Sequence, residues 1–555
     1  MKFKSFLLAL GTGATILVSV AIFGFYWIWQ QSPLTIIGGG TNKYPQAAIF
    51  VPRQAPAMVS LLTNVDRLEA LRQLVTPLGK RWEARKELSE LKQNLLAGTG
   101  VDYQKDIKPW LGDELTLAVT SLDFDRQPEN GAQAGYLLAV NTKDAELSKE
   151  FLQLAYSEAA IAGTSDLVFE TYQGVNLIYK RPLSTDSKNN IASAVVGDFL
   201  LLANHPRVLK DAINNAQSTD LNLENAPAYQ NALKTIEEPR ISLGFVNLPA
   251  LSAWIAKAPT PESSDISELL TIALSLKQGG LAAQTALTGL AADITLPATL
   301  GKPVAALQYL PSQTIFTASG RDLNRFWGEI RSGLAPNSAV SQLLNRLVIN
   351  LQTPLNIDLA RDIFSWVKGE YAVALIASED KKKFDWLFVA EQNEDTETGI
   401  ANLDSLAQKQ GLSVGNFNVA DTDVIAWTKL ITAEKENLVS LNARVKGAHT
   451  NSGKYKLLAT SIEALSLALR QSENKLLQTD KFQQGIAALP DENDGYLYVD
   501  WEAGEPIIGD RLPLVKVVEL SAQPLFNHLR SLTFSSQGTE NGIRKATVFF
   551  KLVQS

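Results

Sequence analysis

VDYQKDIKPWLGDELTLA, residues 101–118, returns as IDLARDIFSWVKGEYAVA at residues 357–374. Aligned without a gap, the two share Asp102/Asp358, Asp106/Asp362, Ile107/Ile363, Trp110/Trp366, Glu114/Glu370 and Ala118/Ala374 at a constant offset of 256. Six identities in eighteen positions, one of them tryptophan, exceed what unrelated segments give. The chain is therefore expected to be an internal duplication, with this box at the same place in each copy.

The box reads as a helix followed by a strand. Asp102 is an N-cap residue, and Ile107, Trp110 and Leu111 fall at i, i+3 and i+4 on one helical face. Gly112 is expected to end the helix, after which Leu115, Leu117 and Val119 alternate as a strand does. Upstream, Ala47–Val51 and Ala57–Leu62 are two strand-like runs broken by Pro52 and Pro56, and Lys80–Leu96 is a helix with alternating surface charge. Downstream, Gly135–Val140 is the partner strand and Lys143–Ile161 a helix. Val168–Thr171 with Val175–Tyr179, and Ala192–Val196 with Phe199–Ala203, are hairpins. Asn204 is expected to cap a helix that carries Pro206 in its first turn. Ile241–Asn247 is a strand, and Gly280–Leu296 closes the copy.

The second copy repeats this order. Ala305–Leu310 stands for the opening strand and Asp322 for Asp66. Leu457–Ala459 stands for Leu201–Ala203, and Thr460-Ser461-Ile462-Glu463 is a capping box. Tyr498–Asp500 stands for Phe245–Asn247, and LTFSSQG at 532–538 for LSLKQGG at 274–280. The copies are expected at 47–300 and 304–555. Strands in pairs with interspersed helices predict α+β domains with mainly antiparallel sheets.

The N-terminus has its own character. Lys2 and Lys4 are followed by no charge until Lys43, and Phe6–Trp29 is almost wholly apolar, matching the ~20 residues of a spanning helix. Phe25, Tyr26, Trp27 and Trp29 crowd its far end. Residues 1–32 are thus expected to form a transmembrane signal-anchor with the N-terminus cytoplasmic. Cleavage after Ser19-Val20-Ala21 would leave a bare apolar terminus and is disfavoured. Residues 33–46, with Gly38-Gly39-Gly40, read as a flexible linker.

The fold class expected is an N-terminal transmembrane helix followed by two tandem repeated α+β domains. The length of 555 residues agrees with several domains. A net charge of −7 offers no basic field for nucleic acid. With no cysteine, disulfides, thiolate metal sites and cysteine nucleophiles are excluded.

Candidate chemistry is sparse. Asp102, Asp106 and Glu114 could be paired carboxylates, but no base or nucleophile neighbours them in either copy, so capping and strand-start roles are expected. His205, His449 and His528 lack the i+3 or i+4 partner of a His metal site, and His205 beside Pro206 reads as structural. Ser-x-x-Lys at Ser89/Lys92, Ser378/Lys381 and Ser472/Lys475 lacks its companion motifs. The acidic loops Asp123/Asp125/Glu129/Asn130 and Asp491–Asp494 lack calcium-loop spacing and read as solvated turns. The tryptophans, Trp82, Trp254, Trp327, Trp386, Trp427 and Trp501 among them, are expected mostly in the core. No catalytic, cofactor-binding or metal residues are assigned, and no enzyme activity is expected.

The anchor, the Gly/Pro tether, the opening AAIFVP and the D-x-x-x-D-I-x-x-W box together resemble a family of unknown function found mainly in cyanobacteria. That resemblance implies a membrane-anchored protein with its bulk in the periplasm or thylakoid lumen, and implies no activity. The function expected is a membrane-tethered interaction or scaffold protein with a protein partner. An apolar-ligand carrier for lipid or pigment at the membrane surface is second, and an unrecognised hydrolase third.

Overall fold

The structure is a computed structural model. It describes residues 41, 43–63, 102–127, 131–161, 165–182, 191–236, 239–256, 268–277, 279–289, 300–333, 345, 348–349, 352–353, 356–377, 384–419, 422–435, 438–470, 474–505 and 529–552. Two compact units divide the chain: 1–289 with 512–528 and 552–555, and 290–511 with 529–551.

The frame of the first unit is a large antiparallel sheet. Its strands are β1 (Ala57–Leu61), β2 (Leu111–Ser121), β3 (Gly135–Thr142), β4 (Ser165–Tyr172), β5 (Val175–Pro182), β6 (Ala192–Val196), β7 (Phe199–Ala203), β8 (Ser242–Asn247), β9 (Leu269–Lys277) and β10 (Gly280–Thr288). They lie in the order 10-9-8-1-2-3-7-6-5-4. The second unit has β11 (Thr314–Arg321), β12 (Glu370–Ala377), β13 (Phe384–Glu391), β14 (Ser413–Val419), β15 (Thr422–Lys435), β16 (Leu438–Ser452), β17 (Tyr455–Ala459), β18 (Gly495–Asp500), β19 (Leu529–Glu540) and β20 (Ile543–Leu552). Their order is 20-19-18-11-12-13-17-16-15-14. Strand for strand, the two orders are the same.

Helices lie singly against these sheets. In the first unit they are α1 (Ala145–Ile161), α2 (Pro206–Gln217), α3 (Pro227–Lys234) and α4 (Leu248–Ala256). In the second they are α5 (Leu323–Gly333), α6 (Thr396–Lys409), α7 (Ile462–Leu469) and α8 (Asp480–Ile486). One sheet face packs on α2 and the other on α1, giving separate cores around Leu201 and around Trp110. The second unit divides likewise, with Leu457 beneath α7 and Trp366 beneath α6.

The duplicated box folds as a short π-helix, Tyr103–Ile107 and Leu359–Ile363, rather than the expected α-helix. The reason lies in the spacing of its polar groups. Asp102 accepts from the Gln104 and Lys105 amides at 2.9 and 3.0 Å, while Asp106 reaches back to the Asp102 amide at 2.7 Å. The Trp110 indole then donates to the Asp106 carbonyl at 2.6 Å. Asp358, Asp362 and Trp366 repeat these contacts at 3.1, 2.8 and 2.9 Å. Gly112 does not end a helix: it lies inside β2, close against the Asn141 side chain.

The expected opening strands are 3₁₀ turns, Gln46–Phe50 and Ala305–Tyr309. Neither has a side-chain cap of its own. Glu114 supplies one at long range, accepting from the Gln46 and Ala47 amides at 2.8 and 2.9 Å, and Glu370 accepts from the Ala305 amide at 2.9 Å. The end of the expected linker also belongs to the fold, since Thr41 and Arg240 exchange backbone hydrogen bonds of 2.9 and 3.0 Å.

The membrane expectation is corrected. Among the described residues no helix is long and apolar enough to cross a membrane. The longest, α1, has 17 residues and carries Glu146, Lys149 and Glu150. The stretch Phe6–Trp29 lies outside the described residues, as do the expected helix Lys80–Leu96, Asp66 and Leu290–Leu296. An N-terminal transmembrane helix followed by two tandem α+β domains therefore gives way to large antiparallel sheets with helices laid on them. The readings built on that helix fall with it: a single-pass signal-anchor protein, the membrane as partner, and a cytoplasmic N-terminus with the bulk in the periplasm or thylakoid lumen.

Trp110 and Trp366 are 4% and 3% exposed. Replacing either with Ala is expected to destabilise the protein by ~3–5 kcal/mol, the range for a core aromatic. Urea unfolding followed by circular dichroism checks this, and a loss under 1 kcal/mol would mean the ring is not a core anchor.

Candidate functional site

The three carboxylates singled out in the sequence do not converge on one point. Asp102 and Asp106 are occupied by backbone amides at the surface, and Glu114 is buried against the 3₁₀ turn, with the Thr116 hydroxyl donating to it at 2.9 Å. Burial pushes the Glu114 carboxyl above its ordinary range, and the hydrogen bonds to Ala47, Gln46 and Thr116 oppose that.

His205, not Asn204, caps α2, its Nδ1 accepting from the Arg207 amide at 3.1 Å. Asn204 instead pins the start of β3, accepting from the Tyr136 amide and donating to the Ala134 carbonyl, both at 2.8 Å. His528, Ser89/Lys92, Ser378/Lys381 and Ser472 lie outside the described residues. Lys475 donates to the Leu467 and Ala468 carbonyls at the end of α7. In the loop at Asp491–Asp494, Asp491 and Glu492 are exposed as a solvated turn requires, whereas Asn493 is fully buried. Among the described residues no group of three or more acidic or histidine side chains is placed to hold a metal ion.

Three places hold more than framework. The first is a polar cluster under α6. Asp404 Oδ1 on that helix accepts from Trp427 Nε1 at 2.6 Å and from His449 Nε2 at 3.0 Å. Trp427 needs the bare Gly447 beside it, where a Cβ would stand 2.5 Å from the ring. His449 is 1% exposed, and its Nδ1 has no hydrogen-bond partner. Lys456, two residues from His449's cross-strand neighbour Leu458, is also buried. Burial holds both the imidazole and the Lys456 ammonium below their usual values. The same sheet position in the first unit is Ser193, which pairs with Leu202 and donates to the Tyr156 hydroxyl of α1 at 2.9 Å. One framework site thus holds a neutral pair in one unit and a titratable pair in the other.

The second place is a cleft of about 120 Å³ in the second unit. Arg321 ends β11, Asp322 follows with φ +55°, and Arg325, Phe326 and Glu329 come from α5. Lys368 and Asp494 complete the lining from the loops before β12 and β18.

The third is the edge strand β14. Among the described residues it pairs with β15 alone, in unbroken register from Ser413 to Val419. Its sequence, SVGNFNV, carries no charge and no proline. Ser413, Asn416, Phe417 and Asn418 are exposed, Phe417 by 45%. The matching edge in the first unit, β4, exposes Phe169 but carries Asp166 and Glu170.

Sequence reading named His449 but missed its partners. Asp404, Trp427 and Lys456 come from three further elements, so no local spacing joins them. A buried imidazole whose folded value lies below its unfolded one binds its proton first in the unfolded chain. Stability is therefore full above the unfolded value of about 6.5 and is lost as pH falls below it. Between pH 7 and 5.5, the unfolding free energy is expected to fall more steeply for the natural protein than for His449→Gln. The difference is bounded by about 1.4 kcal/mol per pH unit. Equal slopes in urea titrations would refute the assignment.

Comparison with known proteins adds a family and little else. The comparison with curated proteins gave no match. A solved structure titled "Structure of crystal form IV of TP0453" matches at 7% identity over 44% of this chain and 80% of that one, with a TM-score of 0.22. A likeness at that score carries no argument about fold or function. The family model described as "Protein of unknown function (DUF3352)" matches residues 10–552, nearly the whole chain. The chain, with its box at Asp102–Trp110 and again at Asp358–Trp366, belongs to that family.

Proposed function

We propose that this protein is an interaction protein that takes up an extended segment of a protein partner as an added strand along β14. The observation that carries the reading is the unguarded character of that edge. Edge strands commonly carry lysine, proline, a bulge or a short length that discourages pairing. Over seven residues β14 has no lysine, proline or bulge. A partner strand would gain main-chain hydrogen bonds along the edge and place an apolar side chain against Phe417. Because β14 is uncharged, the segment that fits is itself uncharged where it pairs.

The chemistry elsewhere favours this reading over the alternatives. The cleft in the second unit is walled by charge, whereas a lipid or pigment carrier needs an apolar wall. The Asp404–His449 pair has the form of a base and its orienting carboxylate, but the imidazole is sealed in the core.

A displayed library of uncharged seven-residue peptides, selected on the full-length chain, tests the proposal. Selected peptides are expected to bind Phe417→Lys at least 10-fold more weakly and Phe169→Lys unchanged. They are also expected to slow amide exchange across Ser413–Val419. Peptides that bind both variants equally, or a library that yields no binder, would overturn it.

A further inference from the structure

We propose that the charged cleft of the second unit binds a small zwitterion with a primary ammonium at one end and a carboxylate at the other, a ligand of amino-acid size. Six of its seven lining residues are charged, three cations and three carboxylates. A lone anion or cation would upset that balance, and a zwitterion preserves it. The volume of about 120 Å³ is well beyond the ~10–15 Å³ that one water requires.

The two ends of the cleft have different capacity left. At the basic end, Arg321 donates one N–H to Glu370 at 3.2 Å, and Lys368 is tied to Asp395. A guanidinium has five donors and an ammonium three, so both retain N–H groups for a carboxylate. Both side chains are about half exposed and can turn toward a ligand. Arg325 is held by Glu329 at 2.5 Å through Nε, which leaves the outer nitrogens of its fork.

At the acidic end, Asp494 accepts from Ser536 Oγ at 3.0 Å, the Gly538 amide at 3.0 Å and Arg544 at 2.9 Å, all through Oδ2. Its Oδ1 remains for a donor in the cleft. Glu329 adds a second negative charge on this side and, after burial, helps raise the Asp494 carboxyl above its usual range. A ligand ammonium would donate to Asp494 Oδ1. Phe326 contributes an apolar wall, and the Arg544 guanidinium lies 5.6 Å from its ring centroid.

Because the acceptor is a single carboxylate oxygen, an N–H is required and a quaternary ammonium would fail. Calorimetric titration of the full-length chain with glycine, alanine and serine, against acetate, methylammonium and trimethylglycine, separates these cases. Saturable binding is expected for the amino acids alone. Lys368→Met, at a half-exposed position, should weaken it at least 10-fold without loss of fold, as should Asp494→Asn if that variant remains folded. Absence of saturable binding by any amino acid, equal binding of trimethylglycine, or unchanged affinity in Lys368→Met would each overturn the proposal. None of these outcomes bears on β14, and Phe417→Lys should bind the amino acids as the natural chain does.

Discussion

The indole of Trp110 donating to the Asp106 carbonyl, repeated by Trp366 and Asp362, is the contact on which each unit's frame depends. It closes a turn already held by two aspartates, Asp102 accepting from the Gln104 and Lys105 amides and Asp106 from the Asp102 amide. The same residue then ties in the next strand pair. The Trp110 carbonyl accepts from the Lys143 amide at 2.8 Å and the Thr142 hydroxyl at 3.1 Å, and the Trp366 carbonyl accepts from Asn393 Nδ2 at 2.9 Å. Overhead, α6 comes so close that Gly399 is obligatory, since a Cβ there would stand 2.4 Å from the Trp366 ring. Four residues beyond the tryptophan, Glu114 and Glu370 reach the amides of a 3₁₀ turn far earlier in the chain. The thirteen residues from Asp102 to Glu114, and again from Asp358 to Glu370, therefore hold a turn, a strand start, a helix docking site and a long-range cap.

The repeated frame leaves other positions free to diverge. Ser193 and His449 occupy equivalent strands and face equivalent helices, yet one is neutral and the other titratable. Glu370 adds a hydrogen bond from the Tyr455 hydroxyl at 2.8 Å, whereas Glu114 adds one from Thr116. Backbone hydrogen bonds and the tryptophan anchor set the architecture, so polar side chains at the face of the sheet can change without altering strand order.

Much of the frame was legible because its signals are local or repeated. The identity of the two boxes marked a turn that folds alike in each unit, and alternation located hairpins such as β6–β7 within a residue. What failed depended on partners remote in sequence. The spacing from Asp102 to Trp110 suits an α-helix as well as a π turn, and only the reciprocal capping by Asp106 decides between them. Ala47–Val51 is apolar enough for a strand, and the carboxylate that makes it a 3₁₀ turn lies 67 residues away. Asp494 sat in a loop that composition marks as solvent-facing, until Asn493 is seen buried beneath it and Arg544 beside it. The membrane reading went wrong by extending one apolar stretch to the localisation of the whole chain.

The buried pair and the open edge point to function in opposite ways. An imidazole oriented by a carboxylate acts on a substrate only if its second nitrogen meets one, and His449 Nδ1 faces the core beneath α6. What that arrangement does accomplish is to hold α6 against the sheet, since Asp404 binds both Trp427 and His449 from the helix. The strand beside it, β14, is in contact with the same helix. Strand addition needs an open edge. A partner segment loses its own freedom on pairing, and the affinity that remains is greatest when the receiving strand has little left to lose. The polar brace under α6 and the uncharged edge strand therefore stand side by side in the second unit, joined through one helix.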